Sequence, residues 1–82
     1  MRHAGVEALD RLEGLLAAVR ALPGLREKQR GIFYRRSKAF LHFHEDPTGL
    51  YADVRLGEDF ERLRVTTDAE RAAFVKRLRT AL

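Results

Sequence analysis

The sequence predicts an α+β domain on three observations. An apolar stripe recurs at intervals of three and four near the amino end, and short runs of aromatic and β-branched residues bounded by turn residues fill the middle. A capping box precedes a second apolar stripe near the carboxyl end. The predicted order is helix, three-stranded antiparallel meander, C-terminal helix. Both helices are expected on one face of the sheet, because no other large surface is available to bury their stripes. At 82 residues the chain is a single domain, 1–82, able to bury no more than about 60–65% of its surface.

The first stripe is Val6, Leu9, Leu12, Leu16 and Val19, with Glu7 and Arg11 paired at i,i+4 on the other side. The helix should stop at Leu22-Pro23-Gly24, because proline cannot continue the hydrogen-bond ladder and disfavours helical geometry at the residue before it. Gly14 weakens its middle by about 1 kcal/mol relative to alanine.

From Gly31 the runs GIFYR, AFLHFHE and LYADVRL read as three strands. Asp46-Pro47-Thr48-Gly49 fits a type I turn, with Asp, Pro and Gly each at a favoured position, so the second and third strands form a hairpin. Arg35-Arg36-Ser37-Lys38 must reverse the chain between the first two, without the Gly or Asn that such turns favour. Residues 57–66 read as an irregular connection. Thr67 with Glu70 then forms a capping box for a helix whose apolar residues are Ala72, Phe74, Val75 and Leu78, with Lys76, Arg77 and Arg79 suiting its C-terminal dipole.

Register decides which face carries His42 and His44. A four-residue Asp46–Gly49 loop sets Glu45 opposite Leu50, Phe43 opposite Ala52 and Leu41 opposite Val54 on the core side. It pairs His44 with Tyr51 and His42 with Asp53 on the other. A bulge at Gly49 would instead pair the histidines with Ala52 and Val54. The first register is preferred because it matches apolar with apolar and gives Asp53 a polar partner. Continued through a four-residue Arg35–Lys38 turn, it places Ile32 and Tyr34 in the core and Phe33 on the histidine side. The open face would then display Phe33, Phe40, His42, His44, Tyr51, Asp53 and Arg55, a set rich in the aromatics and arginine favoured at interface centres.

No cysteine is present, which excludes disulfides, thiolate zinc sites and cysteine nucleophiles. No phosphate-binding glycine loop is found, and Ser37 has no assigned base. Two imidazoles and a carboxylate have the chemistry of a three-ligand metal site or an acid–base pair. Lacking a pocket or nucleophile to accompany them, the sequence assigns no metal ligand, no cofactor and no catalytic residue, and the expectation is a protein that is not an enzyme. Glu7, Asp10, Arg11 and Glu13 interrupt the amino-terminal segment, so no signal peptide or membrane span is read there and a soluble, cytoplasmic protein is expected.

Charge is polarised. Arg26, Lys28, Arg30, Arg35, Arg36 and Lys38 crowd residues 26–38 against Glu27 alone, and residues 39–59 are acidic apart from Arg55. A basic block with Phe33 and Tyr34 in its midst offers the cations and a hint of the stacking aromatics that a nucleic-acid contact needs, and the same arginines also serve as ordinary turn and edge-strand protection.

Leu22-Pro23-Gly24, Gly31, the strand containing Phe33, Lys38 two residues before Phe40, and His44-Glu45-Asp46 ahead of another strand together resemble the MmcQ/YjbR-like proteins over residues 20–56. That resemblance implies a small α+β domain with a wing-like hairpin that binds DNA, the wing being Arg35, Arg36 and Lys38. This chain runs from its third strand almost directly into its last helix, which departs from that family. The expected function is that of a non-enzymatic binding module that associates, as a homodimer, through the open sheet face. The alternative is nucleic-acid binding through the basic hairpin at residues 26–38.

Overall fold

A computed structural model describes residues 1–82 and is α+β, with a six-stranded antiparallel sheet and three helices. The strands are β1 (Arg2–His3), β2 (Arg26–Gln29), β3 (Ile32–Arg35), β4 (Lys38–Asp46), β5 (Gly49–Val54) and β6 (Glu61–Arg64). The helices are α1 (Val6–Arg11), α2 (Glu13–Arg20) and α3 (Asp68–Ala81). The order across the sheet is β2-β3-β4-β5-β6, and β1 pairs with the far end of β4.

The three expected strands are present as β3, β4 and β5, and three more extend them. β2 forms within the basic block, which carried no strand expectation because Arg26-Glu27-Lys28-Gln29 has little β propensity and its pairing with β3 stabilises it. The connection expected at 57–66 contains β6, whose alternation of Arg62 and Arg64 with Glu61 and Leu63 is too short to read unaided. β1 is held by its surroundings. Glu45 accepts from Arg2 at 2.9 Å and from the backbone N–H of Gly5 at 2.7 Å, and the Ala4 N–H donates to the Phe43 carbonyl.

The β4–β5 hairpin adopts the expected register in full, from Leu41–Val54 through His42–Asp53, Phe43–Ala52 and His44–Tyr51 to Glu45–Leu50. The β3–β4 hairpin departs from expectation. Its turn is tight, with Arg36 and Ser37 both at positive φ (51° and 72°) and Arg35 paired with Lys38. Pairing then slips by one, Tyr34 facing Ala39 and Phe33 facing Leu41, so Phe40 is the extra residue of a bulge. The slip reverses the parity of β3. Phe33 and Phe40 are buried at 1% and 3% exposure, not displayed on the open face, while Ile32 and Tyr34 are only partly buried. Burying two phenyl rings is worth several kcal/mol, enough to offset one irregular rung.

One core cluster joins Phe33, Phe40, Leu41, Phe43, Leu50, Ala52 and Val54 of the sheet to Ala8, Leu12, Leu15, Leu16 and Val19 of the first helical segment and Phe74 and Leu78 of α3. Phe43 meets Phe74 edge-on, ring centroids 6.5 Å apart. The first helix is divided at Leu12 (φ −92°, ψ 2°), and Val6, expected in its stripe, is 71% exposed. The capping box of α3 forms as expected, Thr67 Oγ1 accepting from the Glu70 N–H while the Glu70 carboxylate accepts from the Thr67 N–H. No helix is long and apolar enough to cross a membrane.

Candidate functional site

Two places on the molecule gather chemistry. The first is the sheet face opposite the β4 and β5 core residues. Because Leu41, Phe43, Ala52 and Val54 enter the core, His42, His44 and Asp53 point the other way. β1 lays His3 directly across from His44, and β6 lays Arg62 directly across from Asp53.

The resulting geometry is close. The ring centroids of His3 and His44 are 4.6 Å apart and stacked, those of His42 and His44 4.9 Å apart, and those of His3 and His42 5.5 Å apart. One oxygen of Asp53, Oδ2, lies 3.2 Å from His44 Nε2 and 3.5 Å from His42 Nε2. Arg62 grips the same carboxylate in bidentate fashion, Nε donating to Oδ1 at 2.7 Å and an Nη–H to Oδ2 at 2.8 Å. Phe60 closes one side, its ring 5.2 Å from His42 and stacked under the Arg55 guanidinium at 4.5 Å.

The electrostatics follow from this packing. The Arg62 hydrogen bonds hold the Asp53 carboxyl below the usual carboxylate range, outweighing the cost of its burial. Burial pushes the His42 and His44 imidazoles below the ordinary histidine value in spite of the attraction of Asp53, so both favour the neutral form. Both ring nitrogens of His44 are buried without a hydrogen-bond partner, the short approach of Nε2 to Asp53 lacking hydrogen-bond geometry. Each such group costs about 1–3 kcal/mol when nothing satisfies it.

The second place is the β3–β4 hairpin. Arg35, Arg36, Lys38 and Arg55 line a cleft of about 330 Å³ with Ala39, Phe40, Leu56 and Gly57. None of the four cations has a carboxylate within ion-pair distance, whereas Arg2, Arg20, Arg30, Arg62, Arg64, Arg71 and Arg77 all do. Arg55 is steadied by the carbonyls of Ala39 and Glu58. Of the remaining basic block, Lys28 lies over the Tyr34 ring at 4.1 Å and Arg26 is exposed. Arg30 is bound to Asp10 and Glu13, both at 2.8 Å, which removes it from any anion-binding surface.

The structure thus brings His42, His44 and Asp53 together and sets Tyr51 beside them, its hydroxyl 2.7 Å from Thr48 Oγ1. Arg55 is drawn to Phe60 and the hairpin cleft. Sequence reasoning missed His3, Phe60 and Arg62. For Arg62 the cross-strand position opposite an acid was a usable signal once β6 was recognised. For His3 no local signal exists, since a two-residue strand has no periodicity.

No protein-family model, no curated protein and no solved structure matches this chain.

Proposed function

We propose that this chain is a non-enzymatic binding module that grips a nucleic-acid backbone along the β3–β4 hairpin. The observation that carries this reading is the convergence of Arg35, Arg36, Lys38 and Arg55 on one cleft with no carboxylate to neutralise them, in a molecule that pairs most of its other arginines. Unpaired guanidinium and ammonium groups release counterions when they meet phosphates, and that release supplies most of the non-specific affinity. In this reading the three helices pack on one side of the sheet and the hairpin tip projects as a wing, the wing being what the MmcQ/YjbR-like resemblance implies.

The test is a titration of labelled single- and double-stranded DNA and of RNA at two salt concentrations. About four phosphate contacts give an affinity loss on the order of 100-fold between about 50 mM and 200 mM salt. Arg35→Ala with Arg36→Ala should lower the salt slope by about two. Affinity indifferent to salt and to both substitutions removes the reading.

A second reading is self-association through the histidine face. It is favoured by Phe60, which is 39% exposed beside His42. Burial of Phe33 and Phe40 takes two of the expected aromatic anchors away, so the informative substitution is Phe60→Asp, which should dissociate a dimer in sedimentation without unfolding the monomer. A monomeric wild type rejects it.

A further inference from the structure

β1 adds a third imidazole to the pair on β4, and the arrangement has the chemistry of a ligand set. We propose that His3, His42 and His44, with Oδ2 of Asp53 as fourth donor, form a binding site for a divalent transition-metal ion, zinc by preference. One ring nitrogen from each of the three histidines lies within 4.8 Å of the others.

Four observations carry this. The Asp53 Oδ2 distances to His44 Nε2 and His42 Nε2, 3.2 and 3.5 Å, bracket the edge of about 3.3 Å that separates two donors of a tetrahedral zinc ion bonded at about 2.0–2.1 Å. They are too poorly directed to be hydrogen bonds, yet both His44 nitrogens are buried without a hydrogen-bond partner, and a metal bond would satisfy one of them. Arg62 holds both oxygens of Asp53, the outer partner that orients ligating carboxylates. His3 is exposed and stacks on His44, while the two β4 histidines are carried by the sheet.

Three imidazoles and one carboxylate suit zinc and its transition-metal neighbours, and lack the all-oxygen donor set that calcium and magnesium require. The donors come from β1, β4 and β5, so the ion would tie the two-residue β1 to the sheet. The site is separate from the hairpin cleft and does not rest on the nucleic-acid reading.

The experiment uses the full chain, purified without a polyhistidine tag and stripped of metal. Zinc affinity is read by competition with a chromophoric chelator, and cobalt is added as a spectroscopic probe. Copper and nickel are avoided, since a free amino terminus two residues before a histidine can chelate them by itself. One zinc per chain is expected, with a Kd on the order of 1 μM or tighter. Cobalt should give the intense visible bands of a tetrahedral ion. Because the ion binds only the folded chain, Tm should rise by on the order of 10 °C at a hundredfold excess over Kd.

His42→Asn and His44→Asn should each abolish tight binding. His3→Asn is at an exposed strand end where it leaves the fold intact, and should weaken binding at least tenfold. Arg62→Ala should weaken it roughly tenfold by freeing Asp53. Extending the chain at its amino end should change nothing. A wild type that stays empty at about 100 μM zinc, the weak spectrum of six-coordinate cobalt, or wild-type affinity in both His3→Asn and His42→Asn overturns the proposal.

Discussion

The two hairpins that share β4 obey different rules. Along β4–β5 the alternation of apolar and polar residues is regular, the turn carries Asp46, Pro47 and Gly49 at favoured positions, and the register is the one that the alternation dictates. Along β3–β4 the turn takes two non-glycine residues to positive φ and the ladder accepts a bulge at Phe40. A regular ladder there would have sent Phe33 to the surface. The difference teaches that pattern governs register where each face has one kind of residue, and that core volume governs it where both faces of a strand are aromatic. β3, with Ile32, Phe33 and Tyr34 in succession, is the second kind.

The largest expected effect tests whether the bulge exists to bury Phe33. Phe33→Ala should cost about 3–5 kcal/mol in urea unfolding, because it empties a fully buried position, whereas Tyr34→Ala on the opposite parity should cost far less. Equal losses at the two positions would restore the regular register.

Next comes the β4–β5 turn. Gly49 sits at φ +144°, and a methyl group there would overlap Thr66 Oγ1, which hydrogen-bonds both the N–H and the carbonyl of Leu50. Gly49→Ala should cost about 1–3 kcal/mol, through backbone strain and the displaced threonine. A neutral result would mean that this turn is as tolerant as its neighbour.

The β3–β4 turn should respond in the opposite direction. Ser37→Gly removes the strain of a positive φ (72°) at a residue with a Cβ, and should stabilise by about 0.5–1 kcal/mol. Loss of stability would show that the serine side chain contributes more than its backbone costs.

The smallest effect is a pH dependence on the outer side of β3. Glu27 lies across from Phe33, and its carboxyl is held below the ordinary value chiefly by the Arg20 guanidinium and further by the Gly31 N–H. A carboxyl lowered in the folded state contributes stability above its unfolded value of 4.5, and loses it as pH falls through the folded one. Urea midpoints should therefore fall from neutral pH to about pH 3 less steeply in Glu27→Gln than in the wild type. Parallel curves would mean that the Arg20 pair contributes nothing.

Much of the candidate site was legible in one dimension. His42, His44 and Asp53 fall on one face in the register preferred for its apolar matching, over a Gly49 bulge that would have paired the histidines with Ala52 and Val54, and the cationic hairpin tip is visible as composition. Phe33 and Phe40 were misplaced because a bulge inverts parity without leaving a mark in the pattern. His3 and Arg62 were invisible as partners because each sits on a strand of two to four residues, too short for periodicity, whose pairing depends on residues more than forty positions away in the first case.

By itself the sequence determined the α+β class, the capped C-terminal helix, the β4–β5 hairpin and the division of charge, since all of these follow from local periodicity, turn chemistry and residue type, and it favoured without fixing the register of that hairpin. Tertiary structure alone decided that β1, β2 and β6 form, that two phenylalanines leave the open face for the core, and that a third histidine and an arginine close around Asp53. The physical reason is common to them. Short strands gain their hydrogen bonds only from a neighbour already in place, and a core takes whichever register fills its volume, so neither outcome is written in the residues that carry it.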